Sequence, residues 1–179
     1  MALRTSILIA WAVFWVGWLL AARWSKRAQR PRGRFPVSLR FVLVALIVVR
    51  FLSGNGYTVH SGVLRVVGTV LFAGGLALAI WARVILGRNW GTPMSLKEDP
   101  ELVTSGPYRL VRHPIYTGIL TAALGTALAV YFSWFIVFGV MGAYFVYSAH
   151  IEDGLMADSF PSTYPEYREH TKMLIPFVL

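Results

Sequence analysis

The chain contains no cysteine in its 179 residues, which excludes disulfides, thiolate nucleophiles, thiolate metal sites and palmitoylation. Acidic residues are scarce too: eight Asp and Glu stand against 17 Lys and Arg, for a net charge of +9. Charged residues of both signs make up 14% of the sequence, well under the ~25% of a soluble domain, and this excludes an ordinary water-soluble globule. Apolar residues take their place, at 56% of the chain with a mean hydropathy of +0.59. That is the composition of an integral membrane protein. Seven Trp and eight Tyr suit such a chain, because amphipathic rings collect at headgroup level. The basic surplus does not point to nucleic acid, since its cations crowd beside apolar segments and form no soluble basic face.

A spanning helix needs about 20 mostly apolar residues. Five stretches approach that: Ser6 to Ala22, Leu39 to Leu52, Val63 to Leu86, Ile115 to Tyr131 and Phe135 to Ser148. The second and fifth are short, so they borrow flanking residues, cross a thin region or lie oblique. The first resembles a signal peptide in outline, with Arg4 before it and Ala21-Ala22 at its end. The loop that follows carries Arg23, Lys26, Arg27, Arg30, Arg32, Arg34 and Arg40, which resists translocation and holds the segment as an anchor. The expectation is an all-α integral membrane protein of about five transmembrane helices. It forms a single membrane domain over residues 1–179, with two helices and a basic loop in 1–62 and a core in 63–179 whose tail runs from 150 to 179.

Charge bias orients this bundle. Ser53 to Gly62 and the turn at Phe132-Ser133-Trp134 carry no Lys, Arg, Asp or Glu and are expected outside. The basic first loop, the Arg83 to Arg112 segment and the tail then fall on the cytoplasmic side, with the N-terminus outside. Arg50, Arg65 and Arg83 lie near helix ends, where they can snorkel. Compact size and the lack of an organelle signal fit a prokaryotic inner membrane.

This topology puts the polar residues capable of chemistry on one membrane face. The run Gly106-Pro107-Tyr108-Arg109-Leu110-Val111-Arg112-His113-Pro114-Ile115-Tyr116-Thr117-Gly118 leads from a polar loop into the fourth apolar stretch. Pro114 suits a first helical turn, where its missing N–H is no loss, and the amides of that turn suit an anion. In the tail, Met156, Phe160, Tyr164 and Tyr167 recur at helical spacing after Glu152-Asp153, with Pro161 and Pro165 as interruptions. Thr163 and Glu166 have the spacing of a capping box that restarts a second short helix. The aromatic stripe either packs on the bundle or forms a lid over the site. His150 and Glu152 lie two positions apart and do not share a helical face, so no metal site is expected.

Leu102-Val103-Thr104-Ser105-Gly106, Tyr108, Arg112-His113-Pro114, Tyr116 and Gly118, followed by Glu152-Asp153, Met156, Phe160, Tyr164 and Tyr167, resemble the isoprenylcysteine carboxyl methyltransferase family in its prokaryotic form. The related phospholipid methyltransferases share a looser version of the pattern. Trp81-Ala82-Arg83 and Leu86-Gly87-Arg88-Asn89-Trp90 add to the likeness, which covers roughly the C-terminal 100 residues. The resemblance implies S-adenosylmethionine-dependent methyl transfer at the cytoplasmic membrane face, onto a lipophilic or amphipathic acceptor. It implies a cofactor pocket made of Pro100, Glu101, Leu102, Val103 and Tyr108 from the loop between the third and fourth spans, of His113, Pro114, Ile115 and Tyr116 at the start of the fourth, and of Glu152 in the tail. Arg112 and His113 are the expected catalytic residues.

Methyl transfer from a sulfonium is an in-line displacement that needs positioning and exclusion of water. His113 and the helix N-terminus suit the cofactor carboxylate, Glu152 its ammonium or a hydroxyl, and Tyr108 or Tyr116 the adenine or the sulfonium. The chain departs from the family at three places. Ser148 stands where the prenylcysteine enzymes carry an arginine that meets the substrate carboxylate, Pro100 where they carry a histidine, and Asp153 where they carry a second tail acid. A hydroxyl does not replace a bidentate guanidinium, so Ser148 and Arg112 are the residues that bear on the acceptor, with Arg88 or His150 as other cations. An amine or thiol acceptor needs deprotonation, for which His113, His150 and Tyr116 have suitable chemistry. The alternatives are a phospholipid N-methyltransferase, a sterol-reductase-like NADPH enzyme sharing an Arg-His-Pro-x-Tyr signature, and a non-catalytic scaffold whose rim residues bind headgroups.

Overall fold

A computed structural model describes residues 2–26, 57–91, 93–95, 98–176 and 178. The expected span Leu39 to Leu52, Arg50 and the basic residues from Arg27 to Arg40 lie outside the described residues. Among the described residues, helices α1 (Ala2–Ala22), α2 (Gly62–Leu86), α3 (Pro114–Ala129), α4 (Trp134–Ser159) and α5 (Tyr164–His170) account for nearly all the regular structure. Short 3₁₀ turns occur at Gly87–Asn89 and Gly106–Arg109. Extended pairing among the described residues is confined to two isolated bridges, Thr58 with Tyr131 and Val111 with Lys172.

Among the described residues, three helices are long and apolar enough to cross a membrane: α1, α2 with its 3₁₀ extension, and α4. The apolar helix α3 has only 16 residues, or about 24 Å, and its packing compensates for its length. Glycines at seven-residue spacing, Gly68 and Gly75 on α2 and Gly118 and Gly125 on α3, let the two backbones touch. A Cβ on Gly125 would stand 2.3 Å from Phe72 N, one on Gly75 2.4 Å from Ala122 N, and one on Gly118 2.6 Å from Ala79 N. In lipid no hydrophobic drive joins two apolar helices, so close van der Waals approach through small residues takes over. Gly118, Ala122 and Gly125 thus serve helix packing, whereas Gly139 has open space where a Cβ would be.

Helix α1 lays an aromatic ridge across this pair. Ile7, Trp11, Phe14 and Trp18 are its buried residues, at the three- and four-residue spacing of one helical face. Trp11 stacks on Trp134 of α4 at 6.0 Å and meets Phe72 of α2 edge-on. Its indole N–H donates to Thr126 Oγ1 of α3 at 3.1 Å, so this one side chain touches all three of the other long helices.

One end of the bundle is tied by Val59 N donating to Val130 O and Phe132 N to Tyr57 O, with Arg4 over the Tyr131 ring. At the opposite end α4 differs from expectation. Its helix does not stop near Ser148 but continues to Ser159, because nothing before Pro161 breaks it. Glu152 and Asp153 therefore ride on the apolar helix itself and not on a separate tail. Pro161 ends α4, and α5 restarts at Tyr164 with Pro165 in its first turn. Thr163 stands at the N-cap position, yet its side chain makes no cap bond, so the helix restarts without the expected capping box.

Candidate functional site

The segment from Gly87 to His113 returns across the open end of α2 before α3 begins. Two glycines shape that path: Gly87 and Gly106 have φ of +54° and +58°, values that ordinary residues adopt only with strain. Gly106 also packs against Ile85. The C-terminal segment then fastens the start of α3. Arg112 N donates to Lys172 O at 2.8 Å, His113 N to Met173 O at 3.1 Å, and Thr117 Oγ1 to Leu174 O at 2.6 Å. The amides just before the helix are thus taken by tail carbonyls.

Between the loop, the start of α3, the end of α4 and α5 lies an open cleft of about 160 Å³, far above the ~15 Å³ that holds one water. Its apolar wall includes Leu86, Trp90, Leu102, Val103, Ile115 and Met156, and its polar groups include Asn89, Glu101, Arg112, His113, Tyr116 and Glu152. Tyr164 and Tyr167 line it from α5. Tyr167 donates to Tyr108 O at 2.7 Å, linking the tail to the loop.

At the floor sits a compact ionic network. His113 lies between two carboxylates, with Nε2 3.0 Å from Asp153 Oδ1 and Nδ1 3.3 Å from Glu152 Oε2. Burial depresses the imidazole pKa, but the bonds and charges of Asp153 and Glu152 outweigh it and raise the group to about 8. At neutral pH this histidine is an imidazolium donating in both directions. Asp153 also takes a bidentate pair from Arg112, with Nη2 2.9 Å from Oδ2 and Nε 3.2 Å from Oδ1, and the Tyr164 hydroxyl. Burial and the Asp153 hydrogen bond push the Tyr164 hydroxyl pKa up, so it remains a donor. Arg112 Nη1 donates to Thr171 O at 2.6 Å. Charges this deeply buried persist only when fully paired, and here they are.

Glu152 faces the cleft. Its Oε1 accepts from Tyr116 Oη at 2.5 Å and from Met94 N at 2.8 Å. Met94 holds φ at +61° to make that bond, a backbone cost of the kind found at ligand clamps. The Tyr116 ring stacks between His113, at 5.5 Å, and Phe145, at 4.3 Å, which fixes the hydroxyl on the carboxylate. Together these donors orient the Glu152 carboxyl group toward the cleft, where it can accept from a ligand cation or hydroxyl.

The structure brings Pro100, Glu101, Leu102, Val103, Tyr108, Arg112, His113, Ile115, Tyr116 and Glu152 to this one cleft. Pro114 is buried beneath the rim as the first residue of α3. Ser148 is fully buried and donates to Tyr144 O at 2.9 Å within its own helix, away from the cleft wall. His150 and Arg109 are exposed elsewhere. Both ring nitrogens of His113 and most of the Arg112 guanidinium have protein partners, Asp153 and Glu152 among them. Sequence reasoning missed Asn89, Trp90 and Lys26 as neighbours of the site. Trp90 and Asn89 stood in a quoted motif, whereas Lys26 was hidden in a run of cations with no feature to single it out.

The fold and the cleft define a polytopic all-helical protein whose polar site closes one end of its bundle. The family model described as phospholipid methyltransferase matches residues 63–163, more than half of the sequence. The chain belongs to the phospholipid methyltransferase family. It is also similar to a methanethiol S-methyltransferase of Pseudomonas sp. (strain GM41(2012)), at 30% identity over 82 residues covering 45% of this chain and 31% of that protein. The matched segment thus spans less than a third of that relative.

Proposed function

We propose that the protein binds S-adenosylmethionine in this cleft and transfers its methyl group to a lipophilic thiol or amine, at the cytoplasmic face of a prokaryotic inner membrane. The residues present suit parts of the cofactor: aromatic and apolar walls at Trp90, Leu102, Val103 and Tyr108 for a purine, and the Glu152 and Glu101 carboxyl groups for an ammonium, a sulfonium or hydroxyls, while the His113 ring and the amides before α3 expected for its carboxylate are taken by protein partners. S-adenosylmethionine supplies an electrophilic methyl on sulfur. The protein's part is to orient the two reactants and keep water out. Tyr116, His113 and the Met94 amide hold Glu152 against the ligand, and α5 roofs the cleft through Tyr164 and Tyr167.

The observation that carries the choice of acceptor is the state of the cleft's cations. Arg112 is paired with Asp153, His113 lies between two carboxylates, and Ser148 does not reach the cavity. An acceptor carboxylate would meet Glu152 with no unpaired cation among the described lining residues, a like-charge contact. A neutral thiol or amine meets no such opposition, its proton passing to solvent water as the methyl is transferred because both His113 nitrogens are already donors, and the relative named for methanethiol acts on a thiol. We place five spans in the full chain, with the charge-free loops outside and the cleft end inside.

Purified protein in detergent should bind S-adenosylmethionine and not NADPH. With that methyl donor it should methylate a small thiol or phosphatidylethanolamine and leave a prenylcysteine carboxylate unchanged. Binding of NADPH alone would overturn the methyltransferase reading, and turnover of the prenylcysteine carboxylate would overturn the acceptor class.

A further inference from the structure

Lys26 lies just beyond α1, outside the segment that the family match covers, yet it reaches the lip of the cleft. Its backbone N–H donates to Arg88 O at 2.9 Å. Its ammonium donates to Asp99 O and to Glu101 Oε1, each at 2.8 Å. The other oxygen of Glu101, Oε2, accepts from Asn89 Nδ2 at 3.3 Å. Asp99 holds φ at +47°, an uncommon conformation that aspartate tolerates better than most residues.

An exposed Lys–Glu pair contributes little to stability, and the Glu101 side chain is 69% exposed. Stability alone therefore does not account for three donors and a strained residue converging there. What the clasp does achieve is orientation. A glutamate side chain free at the lip of a cleft samples many rotamers, and fixing it costs conformational entropy. Here each oxygen is held by a different donor while keeping lone-pair capacity. The oxygen of the Asn89 side-chain amide, Oδ1, is buried without a partner among the described residues, which is costly unless a ligand donor satisfies it. Glu101 and Asn89 both line the cleft.

We propose that Lys26, Asn89 and Glu101 form a clasp for a vicinal diol, in which Lys26 is a positioning residue that fixes the Glu101 carboxylate to accept from two neighbouring ligand hydroxyls. Under the methyltransferase reading, on which this rests, the diol is the ribose of the cofactor. Two carboxylate oxygens match two hydroxyl donors, and Asn89 Oδ1 provides an acceptor beside them. Helix α1 is thereby coupled to the cofactor through Lys26.

The test compares S-adenosylhomocysteine with its 2′,3′-dideoxy analogue, titrated calorimetrically into the wild-type protein and into Lys26→Ala and Lys26→Arg. Removing the hydroxyls should weaken wild-type binding about tenfold, as for a lost charge-assisted pair. Lys26→Ala should weaken S-adenosylhomocysteine by a similar factor and leave the dideoxy analogue unaffected, and Lys26→Arg should recover most of the loss. In turnover, KM for the methyl donor should rise with kcat within about twofold, as for lost uniform binding. Equal affinity of Lys26→Ala and wild type for S-adenosylhomocysteine overturns the proposal while leaving the methyltransferase reading intact. Equal loss for both ligands shows a merely structural role and also overturns it. Failure of the wild type to bind either ligand removes the methyltransferase reading and this assignment together.

Discussion

At the scale of single residues, the decisive feature is how thoroughly Glu152 is prepared. Tyr116, the Met94 amide and His113 all face it, so its orientation is fixed before any ligand arrives. Glu152→Gln should raise the Kd for S-adenosylmethionine about 10- to 100-fold, from the loss of a charge-assisted bond worth about 1.5–3 kcal/mol, and should lower the melting temperature as well, because His113 loses one of its two carboxylates. Calorimetry on the two proteins checks it. Unchanged affinity would remove Glu152 from the site.

His113 makes the same network depend on pH. Its folded pKa is raised to about 8, above the ~6.5 of the unfolded side chain. The stability it contributes is therefore fully present below about pH 6.5 and is lost as pH rises through about 8. A detergent-solubilised sample should melt at a lower temperature at pH 9 than at pH 6.5, and His113→Gln should flatten that difference. Equal slopes in both proteins would show that the imidazolium is not the group responsible. The motif around His113 was legible in sequence because its residues are contiguous. Its double pairing was not, since both partners lie about forty residues away and only the rotation of α4 shows which acid faces which nitrogen.

Among the elements, α2 and α3 form the tightest contact, and it depends on four glycines. Gly125→Ala would place a Cβ 2.3 Å from Phe72 N, against backbone that has no rotamer to change. Overpacking of this kind costs about 1–3 kcal/mol or more, so the variant should melt lower or express poorly. Gly139→Ala, with open space around it, should be neutral. If both variants melt with the wild type, the close packing is not what holds α3. The extents of α1, α2 and α3 followed from hydropathy to within a few residues, because uninterrupted apolar runs have one economical fold in lipid. The end of α4 did not follow, because hydropathy marks where lipid ends and proline marks where the helix ends. Here these lie about ten residues apart, and Glu152 and Asp153 occupy the difference.

For the whole molecule, the absence of cysteine becomes an experimental advantage. With no native thiol in the chain, single substitutions report topology without background. Ser61→Cys, before α2, and Ser105→Cys, beside the cleft, are both exposed positions at opposite ends of the bundle. In intact cells a membrane-impermeant maleimide should label Ser61→Cys and leave Ser105→Cys untouched until the membrane is opened. The reverse pattern would invert the proposed orientation and place the cleft outside.

Composition and periodicity alone determined that the chain lives in a membrane, that its helices lie where apolar runs are unbroken, and that a loop and a helix start share one face with tail acids. These are local or additive properties, set by the transfer of side chains from water to lipid and by charge near the membrane surface. Tertiary structure alone decided that Arg112 and His113 are occupied by Asp153 and Glu152, that Ser148 turns away from the cleft, and that Lys26 crosses from α1 to hold Glu101. Each of these depends on the direction of a side chain after helices distant in sequence have packed. Pairing of buried charges is settled by geometry within a few ångströms, and a one-dimensional sequence carries no such distances.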